Sequence, residues 1–250
     1  MTDIIFEYDH ILIRSEYKTP ELHAHLASHL IVCLDGKMQC TVCGEDFSAE
    51  GLFIASDKIH TVHAPKGEML LYLFDAASTA SKIIERNYLC GKDFCILDGI
   101  YRDGESTVQK IKNIWNKYGK DSASSADRKI LEAMNLNRAA TTPTDERIKR
   151  VLEYLSSLNA IPGDIMKKLC DISCLSQSRL SHLFTQNMGM SLHRYLSFDK
   201  MRKGYTNFLS TGNITQAALD SGFDTPSHFS ATCKRMFGLS FSEFQKSTQK

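Results

Sequence analysis

No run of this chain approaches the roughly 18 consecutive apolar residues that a membrane span requires, and the opening MTDIIFEYDHIL lacks the cationic, apolar, small-residue order of a secretory leader. A cytoplasmic protein without membrane contact is the expectation. No P-loop, no GxGxxG and no Ser/His/Asp order is visible, so nucleotide-dependent and triad chemistry have no residues to carry them. Net charge is nearly absent too, at +1. Disorder is excluded because 42% of residues are hydrophobic and 24% charged, and 250 residues suffice for two modest cores. Cysteine is not scarce, with 8 residues, but a cytosol keeps thiols reduced and no disulfide framework is expected.

The small net charge hides an asymmetry. Residues 144–250 carry 14 Lys and Arg against 9 Asp and Glu, whereas residues 1–143 carry 16 against 20. Only the C-terminal part suits a polyanion. From residue 4 to about 75 the apolar runs are short and separated by turn residues, which predicts strands closing into a β-barrel or sandwich. Asp35-Gly36 between two of these runs predicts a tight hairpin. Helical periods follow at 78–89, at 106–118, where Val108, Ile111, Trp115 and Tyr118 make one apolar stripe, and at about 127–136. Asn137–Pro143 reads as a linker. Beyond it, 145–158 reads as a helix with Thr144 as its N-cap.

The remaining residues contain a repeat. Displaced by 49 residues, SQSRLSHLFTQNMGMSLHRY (176–195) lies over TPSHFSATCKRMFGLSFSEF (225–244), with Ser178/Ser227, Ser181/Ser230, Gly189/Gly238 and Ser191/Ser240 coincident. Upstream the offset is 48, pairing Ile172–Leu175 with Asp220–Phe223. Each copy offers a short helix with a small residue (Cys170; Ala218), a tight turn, and a second helix, which is the order of a helix-turn-helix. The second helices turn Leu180, Leu183 and Phe184, or Phe229 and Cys233, inward. Left outside are Ser178, Arg179, His182, Thr185 and Gln186 in the first copy, and Ser227, His228, Ala231, Lys234 and Arg235 in the second. Polar and small residues near a helix N-terminus can approach base edges, and cations further along can meet phosphates. Ser191–Leu209 reads as one connecting helix of about 28 Å, close to the ~34 Å between successive major grooves.

GFDTPSHFSATCKRMFGLSFSEFQK (222–246) resembles the closing segment of AraC/XylS regulators, and SQSRLSHLFTQNMGMSLHRYL (176–196) resembles the first half of the same domain. Cys174, Cys233, Gly204 and Phe241 depart from the family's usual Gly, Phe, Ala and Pro. The resemblance implies a double helix-turn-helix domain over 144–250 that binds double-stranded promoter or operator DNA. It also implies a sensor barrel over 1–100, a dimerisation segment and linker over 101–143, a homodimer, and contact with RNA polymerase where the output is activation.

HAHLASHLIVCLDG (23–36) resembles the first cupin motif, keeping its spacing but placing His29 where Glu is usual; His60 resembles the second motif's histidine. On a regular strand His23, His25 and His29 share a face, and with His60 they offer imidazoles that suit Zn, Ni, Cu or Fe(II). The other reading is that they line a pocket for a small organic effector. Cys40-x-x-Cys43 has no second pair and is weak evidence for metal. The fold expected is therefore a multi-domain α and β chain: a cupin-like β-barrel with following helices, then two helix-turn-helix units joined by a long helix. The function expected is a ligand- or metal-responsive transcriptional regulator; the second reading is a metal-dependent cupin enzyme with a helical appendage.

Overall fold

The structure is a computed structural model describing residues 3–7, 9–15, 21–64, 67–76, 78–102, 104–136 and 143–237. The linker expected at 137–143 falls outside the described residues except for Pro143, as does Phe241. The chain forms two compact units, residues 1–138 with 234–250, and residues 139–233.

The first unit opens with β1 (Asp3–Phe6), β2 (His10–Ser15), β3 (Ser28–Cys33), β4 (Met38–Val42), β5 (Glu45–Ala49), β6 (Gly51–Ile54), β7 (His60–His63) and β8 (Met69–Phe74). After α1 (Thr79–Ile84) come β9 (Phe94–Ile96) and the short β10 (Tyr101–Arg102) and β11 (Glu105–Ser106). The larger sheet runs β1-β2-β8-β3-β6-β9 and the smaller β5-β4-β7, with every pairing antiparallel. This is the expected β-rich architecture followed by helices. The hairpin expected at Asp35-Gly36 does not form: β3 pairs with β6 and β8, while β4 pairs with β5 and β7, so that turn carries the chain from one sheet to the other. The two-residue hairpin is instead Cys43-Gly44, both at positive φ, between β4 and β5.

β3 and β8 are buried at every position, which is why SHLIVC and MLLYLF are near-continuous apolar runs rather than alternating ones. Side chains of one parity, including Leu12, Leu30, Val32, Phe53, Leu70, Tyr72 and Phe74, share a core with the helices. Those helices are α1, continued by a π-turn at Glu85–Leu89; α2 (Thr107–Ile114), continued by a π-turn at Trp115–Gly119; and α3 (Ala123–Ala133). Serines 78, 106 and 122 cap them by accepting backbone N–H groups. Val108, Ile111 and Trp115 lie in this core, with Tyr118 packed against it. The stripe expected to pair subunits is thus covered by the chain's own barrel, and it carries no argument for a dimer. The opposite parity, Ile11, Ile13, His29, Ile31, Leu71 and Leu73, is buried on the other face of the sheet.

In the second unit α4 (Glu146–Ser157) is capped by Asp145, whose carboxylate accepts from Arg147 N–H, not by Thr144. Then follow α5 (Ile165–Ser173), α6 (Gln177–Met188), α7 (Leu192–Thr211), α8 (Ile214–Asp220) and α9 (Pro226–Phe237), the last running past residue 233. The buried Lys203 of α7 donates to Asp199 and to the Leu155 carbonyl, and so ties α7 to the end of α4. Pairing satisfies both charges in a place where an isolated one would be costly.

Candidate DNA-binding face and histidine cluster

The two helix pairs are built alike at atomic level. At the end of α5, Ser173 Oγ donates to the Leu169 carbonyl (2.8 Å) and Leu175 N–H to Cys170 (3.1 Å). At the end of α8, Ser221 Oγ donates to Ala217 (2.7 Å) and Phe223 N–H to Ala218 (3.0 Å). Both serines are fully buried, and their hydroxyls satisfy carbonyls that the helix ends leave over. Both turns need a left-handed residue: Cys174 sits at φ +54° and Gly222 at +93°. The family's usual glycine is therefore replaced at 174 by a residue that accepts the strain, but Gly222 has no such freedom, because a Cβ there would lie 2.2 Å from the Ile161 carbonyl oxygen. Gly204 is equally constrained, since a Cβ would meet the Phe229 ring at 2.8 Å. The departure at Gly204 thus lets α7 and α9 pack closely.

Leu180 and Phe184 are buried on α6, as are Phe229 and Cys233 on α9, while Leu183 is half-buried. The opposite faces are open. Ser178, Arg179, His182, Thr185 and Gln186 are exposed, and so are Ser227, His228, Ala231, Lys234 and Arg235. Among the described residues, Arg179, Lys234 and Arg235 have no carboxylate partner. Thr225 Oγ accepts from His228 N–H and fixes the start of α9. The 20 residues of α7 span about 30 Å between the two helix pairs.

In the first unit the four histidines converge, though not as one strand face. Of His23, His25 and His29 only His29 lies in a strand, β3; His23 forms an isolated bridge to His60, and His25 lies in the segment between. His60 begins β7, so the cluster joins the two sheets. Ring centroids are 4.6 Å apart for His23/His60, 4.6 Å for His25/His29 and 4.5 Å for His29/His60. One ligand nitrogen from each of His23, His25 and His60 lies within 4.8 Å of the other two.

The hydrogen bonds set the tautomers. His23 Nδ1 donates to the Glu21 carbonyl and His60 Nδ1 to the Lys58 carbonyl, both at 2.7 Å, leaving each Nε2 with a free lone pair. Backbone carbonyls hold metal-binding imidazoles in this manner. His25 Nδ1 accepts from Ala27 N–H at 3.3 Å, so without a cation its Nε2 carries the proton and donates to His29 Nε2 at 3.0 Å. His29 is then protonated at Nδ1, a buried atom with no partner. Burial first, then the charge of neighbouring histidines, pushes His25 down to about 3 and holds His29 well below its ordinary value. Burial pushes His60 down to about 4 against the opposing hydrogen bond to the Lys58 carbonyl, with a lesser contribution from His23. His25, His29 and His60 are therefore neutral, as metal ligands must be. The donor set fits a borderline cation through His23 and His60 without rearrangement; recruiting His25 exchanges its proton between ring nitrogens.

The Cys40-x-x-Cys43 pair divides across the hairpin. Cys40 is buried in β4, where burial and then Asp98 push its thiol up to about 12, and Cys43 is exposed in the turn. Among the described residues neither belongs to a group able to hold a metal.

Two successive helix pairs with matching turns, joined by one long helix, define a double helix-turn-helix domain. The helix-turn-helix domain family matches residues 169–247. The arabinose operon regulatory protein of Escherichia coli K12 is 31% identical over 112 residues, covering 44% of this chain and 38% of that protein. Its counterpart in Salmonella typhimurium LT2 is also 31% identical, covering 44% and 40%. This chain is thus matched over about two fifths of the length of those relatives, both of which are named as regulatory proteins rather than enzymes. ToxT from Vibrio cholerae O395 shares the fold at a TM-score of 0.50 and 10% identity, covering 97% of this chain and 99% of that one. Over its helix-turn-helix segment the chain is thus similar to these arabinose operon regulatory proteins.

Proposed function

We propose that this protein is a transcriptional regulator that grips double-stranded DNA with α6 and α9 and responds to a small ligand or metal taken up by its barrel. The observation that supports it best is the pairing of two like turns with ten open side chains on their second helices, joined by a helix of about groove-to-groove length. In this reading Ser178, Arg179 and His182, with Ser227 and His228, would read bases; Thr185, Gln186, Lys234 and Arg235 would meet the backbone, with Ala231 leaving room for approach. The cytoplasm, where such DNA lies, is the proposed site of action. A homodimer, and contact with RNA polymerase if the output is activation, enter this proposal through the family resemblance alone.

The test is fluorescence anisotropy of the full chain with duplex DNA from its own upstream region, across a salt series. Affinity should fall steeply with salt because counterions are released. Arg179→Ala should cost about 1–3 kcal/mol and relax preference at one base position, whereas Lys234→Ala should weaken all sequences alike and reduce the salt slope by about one. Binding that ignores salt and both substitutions would reject the proposal.

The histidine cluster supports a metal as the sensed species, chosen among Zn, Ni, Cu and Fe(II), because two of its imidazoles present Nε2 lone pairs anchored from behind. A bound ion would supply charge and coordination that draw the two sheets together. Elemental analysis of protein purified without tag or chelator should find a stoichiometric transition metal, lost in the His23→Ala/His60→Ala variant. Protein that neither contains nor takes up any of the four would leave an organic effector as the reading.

A further inference from the structure

Successive residues of β3 point to opposite faces of the sheet, so Ser28 faces away from the side that holds His29. On the Ser28 side, between the sheet and α1, lies an open-sided cavity of about 290 Å³. This is room for on the order of ten water-sized groups. Its polar lining is Ser28, Ser56, Ser81, Lys82, Glu85 and Arg86, and Ala55, Ala76 and Leu89 make it apolar elsewhere.

Three features of this lining call for an anion. Ser28 Oγ and Ser81 Oγ are 2.8 Å apart and both residues are buried, so one hydroxyl proton is used within the pair. The other hydroxyl proton has no acceptor among the described residues, and a buried donor left so is costly unless something enters to accept it. Lys82 and Arg86 stand one helical turn apart on the same wall, and among the described residues no carboxylate pairs with either. The one carboxylate present, Glu85, accepts from Gly91 N–H at 3.1 Å, and the Arg86 Nε donates to Asn87. Two cations and a hydroxyl donor thus meet above an apolar floor. A bare inorganic oxyanion would satisfy the donors but leave Ala55, Ala76 and Leu89 uncovered.

We propose that this cavity binds a small organic carboxylate, its headgroup held by the Ser28/Ser81 pair with Lys82 and Arg86, and its short apolar body against Ala55, Ala76 and Leu89. Neither the DNA-facing helices nor the histidine nitrogens take part. Isothermal titration of the full chain with acetate, butyrate, butyramide and inorganic phosphate tests it. Butyrate should bind saturably and more tightly than acetate, and butyramide and phosphate at least tenfold more weakly, since a charge-assisted hydrogen bond is worth about 1.5–3 kcal/mol. Lys82→Gln and Arg86→Gln, both at exposed positions, should each weaken butyrate about tenfold, and Glu85→Gln should strengthen it. The His23→Ala/His60→Ala variant should bind butyrate as the wild type does, which separates this site from the metal reading. No butyrate binding, binding that survives the Lys82→Gln/Arg86→Gln double substitution, or phosphate binding as tightly as butyrate would overturn the assignment.

Discussion

Single atoms decide the helix-turn-helix geometry. Gly222→Ala adds a Cβ 2.2 Å from the Ile161 carbonyl in a left-handed backbone and should cost at least about 2 kcal/mol in urea unfolding. Gly212, at φ +68° with nothing within 4 Å of its would-be Cβ, should cost only about 1 kcal/mol when changed to Ala. In the barrel unit, His10 is buried between Asp9 (2.8 Å) and Asp127 (3.2 Å). Burial alone would depress its pKa, but the hydrogen bonds and charge of Asp127 and then Asp9 outweigh it and raise the group to about 10. The folded state therefore holds a proton that the unfolded chain releases near 6.5. This contribution is complete below about pH 6.5 and disappears as pH rises through about 10. Asp127→Asn should lower stability at pH 6 by about 3 kcal/mol, and the gap to wild type should narrow between pH 7 and 10 in denaturant titrations. A gap that stays constant with pH would show that His10 is not charged.

Among the elements, the helices after the barrel are the clearest case where pattern and partner part company. Ile111→Glu or Trp115→Glu should unfold the first unit or cost it about 3–5 kcal/mol, seen by circular dichroism and chromatography, rather than yield a folded monomer. The sequence shows that Val108, Ile111 and Trp115 share a stripe, because the helical period is local; which surface covers them is a tertiary fact. The same limit explains Asp35-Gly36. Asp-Gly marks a turn, but whether the flanking strands pair depends on sheet order, and β3 and β4 lie in different sheets. The hairpin turn itself, Cys43-Gly44, has no Asn or Asp before its glycine and so carries a weaker turn signal than Asp35-Gly36. The helix-turn-helix was legible because it occurs twice: Ser173 and Ser221 align at the offset of 48, and their matching carbonyl bonds give that alignment a cause. The histidine cluster was legible as a set but not as a strand face, since His23 and His25 reach it from irregular backbone.

At the scale of the molecule, the charge asymmetry now has a physical setting. The excess of cations in residues 144–250 includes Arg179, Lys234 and Arg235, exposed on the two helices proposed to meet DNA, while Lys203 and Arg202 are spent on Asp199 within α7. Neutralising Arg179 and Lys234 together should therefore weaken DNA binding more than removing Arg202, measured by anisotropy at fixed salt. The connecting helix α7 has a further consequence, one of screw phase. A rigid helix sets an angle as well as a distance, and each added residue advances the chain about 1.5 Å while turning it by about 100°. Side-chain substitutions along α7 leave that angle alone. One inserted residue would swing one reading face far from the other, so that each half could still find a groove but never both on the same side of the duplex.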